Sequence, residues 1–328
     1  MFRKLQAFAA IVKITVIESI QEPAALLVML AAILITLLAP LFHFHSFGEE
    51  GRLARDGGLA SLLVFGLILG CTTAGAAIHR ECNSGTAAAA LAKPLGRNTF
   101  LTAKAAGVTL VCLILWLAVS CATMLAETAA SHTIPYDDTW ITVADSRLRL
   151  YSLLAPVIAL GVAALLHNRR RTRFGSAAFL LIPCLLAIVA LSSGFWEHGG
   201  KWQPYTNRLN TNLFSAAIPL FFALAVLACW SAALAVRLPT GAVLLAGVAL
   251  LGIGLSADAW SAGATVWSWR NIMAGVLPNI QHYWLADALA RGGSAPWQYV
   301  MQTGLHAATS CAIALVVGCA LLRGRDLG

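Results

Sequence analysis

The chain of 328 residues is 59% hydrophobic and 11% charged, with a mean hydropathy of +0.78 and a net charge of +8. A soluble domain carries about a quarter charged residues; this little polar surface cannot clothe a globule in water, so the bilayer must be the solvent for most of the chain. The basic residues are scattered over many loops, which excludes a concentrated nucleic-acid surface and no nucleic-acid partner is expected.

The chain opens with Phe2, Leu5, Ala9, Val12, Val16 and Ile20 at three- and four-residue steps, while Lys4, Lys13 and Glu18 occupy the other face. This pattern predicts a helix lying in the membrane interface over residues 1–22, before the chain turns into the bilayer near Pro23. The polar residues that interrupt it argue against a cleaved signal peptide. Apolar runs then predict eight spans, at about Ala24–Phe42, Gly57–Ile78, Leu101–Leu125, Leu150–Leu166, Gly175–Ser193, Leu213–Val236, Thr240–Ser256 and Val300–Leu322. The fourth and seventh are short for the ~20 residues that a crossing needs. Before the last span, residues 257–299 hold five of the ten tryptophans. Trp267–Leu277 and Asn279–Leu289, broken at Pro278, read as a pair of helices dipping into the outer interface, where such aromatics gather. With no internal repeat and no low-complexity linker, the expectation is one all-α integral membrane domain over residues 1–328.

Orientation follows from the charges. With a cytoplasmic N-terminus, fourteen of the 22 basic residues fall on the cytoplasmic side, including Arg169–Arg171, Arg173 and Arg237, and most flank spans. Ten acids, among them Asp56, Glu127, Asp145 and Asp258, fall outside. The positive-inside rule therefore places both termini in the cytoplasm. Eight cysteines include no CxxC pair, and all but Cys82 lie in apolar runs, so they read as small packing residues rather than a disulfide or zinc framework.

The segment between the second and third spans carries the most information. Thr86–Lys93 is alanine-rich and helix-favouring, Pro94 stops it, and basic residues follow. A short helix so placed is a peg between two spans, able to turn the movement of a docked partner into movement of both. Glu81, Gly85, Thr86, Leu91, Pro94, Arg97 and Lys104 stand in a register that resembles the ABC-2 type permeases, the membrane subunits of bacterial type-V-like ABC exporters. The opening Asp56–Leu59, the Leu277–Asn279 step and the terminal Arg323–Leu327 fit the same pattern.

The resemblance implies a six-helix core with an interfacial helix before it and a re-entrant hairpin before its last span. The eight predicted spans therefore imply an extra pair between about residues 126 and 236. It also implies a bacterial inner-membrane permease that pairs with a second copy, or with a homologous permease, and binds two ABC ATPase subunits. ATP and Mg would sit in those subunits, since this chain has no GxxxxGK[ST] loop and is not expected to be an enzyme by itself. Under this resemblance, Glu81, Gly85, Thr86, Leu91, Lys93 and Pro94, within the coupling loop 80–99, would contact the ATPase. Arg97 and Lys104 would anchor the following span at the cytoplasmic headgroups.

Other constellations are weaker. His43 and His45, with His132, His198 and His282 on the same side, lack the carboxylate or thiol spacing of a closed metal site. Glu127, His132, Asp137 and Asp138 match no acid–base spacing of a membrane-embedded enzyme and read as a solvated loop. The spans hold almost no ionisable groups, which disfavours an ion-coupled carrier. A membrane-embedded enzyme, or a non-transport anchor that transmits force to a periplasmic assembly, are the alternatives to a permease.

Overall fold

The computed structural model describes residues 2–41, 49–83, 96–130, 132–136, 139–197, 200–206, 208–261, 278–286, 289 and 295–324. Helix α1, Phe2–Gln21, ends one residue before Pro23, which opens α2, Pro23–Leu38, at a position where its missing N–H costs nothing. Helices α3 (Glu50–Asn83) and α4 (Arg97–Ala130) follow, then α5 (Ser146–Arg170), α6 (Phe174–Ser192), α7 (Leu213–Ala235), α8 (Thr240–Leu255), the short α9 (Ala257–Ser261) and α10 (Trp297–Arg323). Between α4 and α5 lies a small antiparallel hairpin, β1 (His132–Tyr136) and β2 (Thr139–Val143), with Ile134 opposite Ile141. The sequence reading treated that stretch as loop. Short β-branched runs around Asp137-Asp138 carry the hairpin signal.

The all-α membrane class is correct. Among the described residues seven helices are long and apolar enough to cross a bilayer, and α8, the seventh span of the sequence reading, has 16 residues. It packs along α3 and α7. It starts where Thr240 closes on Gly75 of α3, and ends where the Gly254 carbonyl accepts from the Ile280 amide. The fourth predicted span is no short one: Asp145 caps α5 by accepting from the Arg147 and Leu148 amides, which carries the helix four residues ahead of its apolar run.

Three helices make the centre. Within their most apolar windows, 72% of α3, 67% of α4 and 72% of α7 is buried by the chain itself, against 28–39% for α2, α5, α6 and α10. The trio is locked by small residues and two polar contacts. The Trp116 indole of α4 donates to the Ala217 carbonyl of α7 at 2.6 Å, and Cys71 Sγ of α3 lies 3.2 Å from Ser231 Oγ of α7. Helices α5 and α6 pack on each other and reach the centre chiefly through α4; they lie in the stretch 126–236 where the sequence reading expected an extra pair. The outward sides of the peripheral helices are apolar, with Leu27, Ile158, Ile188, Leu245 and Leu305 all exposed. In a bilayer those side chains face lipid.

Helices α3 and α4 have 34 residues each, about 51 Å at 1.5 Å per residue, against a hydrocarbon core of about 30 Å. Both therefore project beyond the bilayer. Near one end of α3 the helix widens into a π-turn over Gly75–His79 and then continues to Asn83. Arg80, Arg97, Arg173, Arg237 and Arg323 all gather at this end of the bundle, as the contacts described below establish.

Candidate functional site

The basic end is assembled from six chain segments. Arg97, at the start of α4, donates to the carbonyls of Arg323 at 3.1 Å and Leu322 at 3.4 Å, the last residues of α10. Arg237, just past α7, donates to the Leu321 carbonyl at 3.2 Å and to that of Gly324. Two guanidiniums thus satisfy the open carbonyls of one helix C-terminus and oppose the negative end of its dipole. Arg80 pairs with Glu22 at 3.0 Å, and Arg173, at the N-cap of α6, donates to the Gln21 side chain.

At the middle of this face sits Lys104. Its side chain is 3% exposed, with Nζ 2.6 Å from Glu81 Oε1, 3.8 Å from Glu18 Oε2 and 5.9 Å from the centre of the Phe100 ring. A buried ammonium without a partner would cost several kcal/mol, roughly what the near contact with Glu81 offsets. Glu81 stands on the last turn of α3, beyond the π-turn, and Glu18 on the last turn of α1. One cation therefore joins three helices.

Helix α1 is seated against α4 by close approach of backbones. A Cβ on Gly107 would lie 2.7 Å from Thr15 Cβ and 3.3 Å from the Val12 carbonyl oxygen, so only glycine lets α1 settle there. The buried stripe of α1 includes Thr15, Ser19 and Ile20, while Leu5, Ile14 and Ile17 stay exposed. Of the predicted apolar stripe, Val12, Val16 and Ile20 turn inward and Leu5 and Ala9 do not.

The sequence reading named Glu81 and Lys104 in one pattern but gave them separate roles. Glu81 and Lys104 are brought together across 23 positions. Lys104, expected at the headgroups, is buried on α4 against Glu81 of α3 and Glu18 of α1. Arg97 is spent on the C-terminus of α10. Gly85, Thr86, Leu91, Lys93 and Pro94 lie outside the described residues, as do Trp267–Leu277, His43, His45 and His198. The second outer stretch, Asn279–Leu289, includes a 3-10 turn at Gln281–Tyr283.

Glu18 was missed as a site residue because on the sequence it belongs to an ordinary polar face; its one signal is the i, i+4 step to Glu22. Glu127 is a correction. It is no loop residue but lies buried in the last turn of α4, with Oε1 3.5 Å from Arg55 Nη1 and accepting from the Asn210 side chain at 3.0 Å. Near it, Asp145 pairs with Arg208, whose Nη1 also donates to the Trp196 carbonyl at 2.8 Å. These groups tie the outer ends of α3, α4, α5 and α6 to the loop before α7. Farther along the same end, Tyr283 Oη lies 2.7 Å from His306 Nδ1, and the Asn279 amide donates to Asp258 at 2.6 Å. Burial raises the Tyr283 phenol, which keeps it protonated in that contact. Among the described residues no three His, Cys, Asp or Glu side chains converge as metal ligands.

A family model described as "ABC-2 family transporter protein" matches residues 7–211. The chain belongs to the ABC-2 transporter family. The match takes in α1, the Glu81–Lys104 contact, the hairpin and the extra pair α5–α6, so the pair falls within the family's matched region. No curated protein and no solved structure matches this ABC-2 chain. As an ABC-2 membrane domain it is a transporter component that crosses the membrane several times, and the family in general works with an ABC ATPase.

Proposed function

We propose that the chain is the permease subunit of an ABC exporter in a bacterial inner membrane, its basic end and both termini in the cytoplasm. Two such subunits, identical or homologous, frame the path, and two separate ATPase subunits holding ATP and Mg dock beneath them. Family membership supports the general role. The charge asymmetry supports the orientation.

One observation carries the coupling role: Lys104 binds Glu81 and Glu18 together, joining the end of α3, the start of α4 and the surface helix α1. The segment 84–95, with Gly85, Thr86, Leu91, Lys93 and Pro94, leaves α3 two residues past Glu81. A push on that segment by a docked ATPase is delivered to the Glu81–Lys104 joint, and through it to two central helices and α1 at once. Glu81 is a positioning residue in this scheme, and residues 86–93 make the contact. The π-turn at Gly75–His79 supplies a place where α3 can change pitch without breaking.

The test is co-purification of an ATPase with the chain from native membranes. Replacing residues 86–91 by a Gly/Ser stretch is expected to abolish capture, whereas Glu81→Gln retains capture and lowers ATP-driven export. Capture that survives the Gly/Ser replacement would defeat the docking assignment. Activity of the purified single chain without any ATPase would favour the membrane-embedded enzyme. ATP hydrolysis with no cargo crossing under any condition would favour the force-transmitting anchor.

A further inference from the structure

At the basic end a cleft of about 820 Å³ opens between α1, the start of α2, the end of α3 and the starts of α6 and α8. That volume lies in the range of small-molecule sites, about 300–1,000 Å³. Its polar wall consists of Glu18, Gln21, Glu22, Arg80, Glu81 and Arg173.

The charges of this wall do not close on themselves. Glu81 is held by Lys104, and Glu22 by Arg80. Arg173 is tied only to the neutral Gln21 amide, and among the described residues it meets no carboxylate. Arg80 and Arg173, which reach the consecutive residues Glu22 and Gln21, both line this cleft, and only one of the two guanidiniums has a carboxylate on it. A phosphate bridging them would complete the neutralisation by charge-assisted hydrogen bonds. One turn back on α1, about 5–6 Å away, Glu18 is the complementary group. Its side chain is 54% exposed, and among the described residues its one cation is Lys104 at 3.8 Å. A spare positive group and an underused carboxylate one helical turn apart fit a zwitterion with a phosphate at one end and an amine at the other.

The depth of the cleft narrows the source. It lies where the apolar run of α2 begins at Ala24 and that of α3 ends at Ile78, which is the level of lipid headgroups. Below it, α3 keeps a half-exposed stripe of Phe65, Ile68, Thr72 and Ala76, at steps of three and four, running from mid-depth up into the cleft. The Thr72 hydroxyl is turned back onto the Ile68 carbonyl at 2.8 Å, so the stripe presents an apolar surface. A polar clasp for phosphate and amine at the head of an apolar track is the shape of a phospholipid. We infer that this cleft binds one zwitterionic phospholipid of the phosphatidylethanolamine type, its phosphate between Arg80 and Arg173 and its ammonium against Glu18. The inference needs the membrane setting but not the ATPase, so it can fail while the permease reading stands.

The chain purified in detergent and returned to nanodiscs of mixed phosphatidylethanolamine and phosphatidylglycerol is stripped by repeated detergent exchange, and retained lipid is counted by native mass spectrometry. One phosphatidylethanolamine per chain is expected to survive in the unchanged protein. Arg80→Gln with Arg173→Gln should lower its occupancy at least tenfold, and Glu18→Gln should shift the preference toward phosphatidylglycerol. All three side chains are exposed, and an unchanged Tm of the variants confirms that they fold. Equal retention in the double variant, or equal retention of both lipids by the unchanged protein, overturns the assignment. Displacement of the signal by millimolar inorganic phosphate reassigns the site to free phosphate and refutes the lipid. No retained lipid on the unchanged protein, with or without the ATPase, refutes it equally.

Discussion

The two ends of the bundle handle buried charge in opposite ways. At the outer end Asp145 and Arg208 are 3% and 6% exposed, and each is held by further partners: two amides on Asp145, two carbonyls on Arg208. Arg55 and Glu127 are nearly as enclosed, with Asn210 and Asp56 filling out the cluster. At the basic end Lys104 is just as enclosed, but its second carboxylate, Glu18, is half in solvent at the longer distance of 3.8 Å. A cleft opens beside it. The outer clusters are clamps that fasten span ends to loops and have nowhere to go. The one at the basic end is a joint with one tight partner and one loose partner, as the proposed coupling role requires.

The strongest test of this contrast acts on the outer clamp. Arg208→Ala leaves the Asp145 carboxylate buried with two amides but no cation, so a loss of about 3–5 kcal/mol is expected, read as a large drop in Tm in detergent, with little protein recovered. A drop no larger than that of an exposed site such as Arg52→Ala would show that the outer pair is not locked.

A second test acts on the seat of α1. Gly107→Val drives a side chain into Thr15 and the Val12 carbonyl; overpacking of this kind costs about 1–3 kcal/mol. Here the expected signature is local: a cysteine placed on α1 becomes more reactive to a soluble maleimide, while the rest of the bundle keeps its protease resistance. Unchanged labelling would mean that α1 is not held through α4. Smallest in stability is Arg97→Ala, which removes one of two caps on α10 and should cost about 0.3–1 kcal/mol. If Tm falls as far as for Arg208→Ala, the two ends are alike after all.

Sequence legibility followed the same divide between pattern and long-range pairing. Apolar runs and the ~20-residue rule pick out all seven of the long apolar helices among the described residues, and α1 and Pro23 are readable from spacing and position alone. Helix lengths are less so. The polar first turn of α5, from Ser146 to Arg149, looks like loop until Asp145 is seen to cap it. The overshoots of α3 and α4 are hidden because hydropathy stops where the bilayer stops, whereas the helical hydrogen bonds do not. The hairpin was obscured by Pro135 and by strands of only five residues.

Among the site residues, Glu81 and Lys104 were legible as members of an ordered pattern. Their direct contact was not, since neither residue has a local reason to find the other across a loop. Asp145 and Arg208, 63 positions apart, leave no periodic trace at all. Glu18 looked like any other charge on the wet face of an interfacial helix, and only the packing of α1 at Gly107 turns it toward Lys104.

The central claim is that the Glu81–Lys104 joint transmits the work of an ATPase, rather than merely filling a gap between α3 and α4. ATP-driven export by the reconstituted complex measures this most directly in Glu81→Lys, Lys104→Glu and the double exchange. The account predicts that each single reversal lowers export at least tenfold without loss of ATPase capture, and that the double exchange restores most of it. Single variants with unchanged export, or a double variant no better than either single, would contradict it.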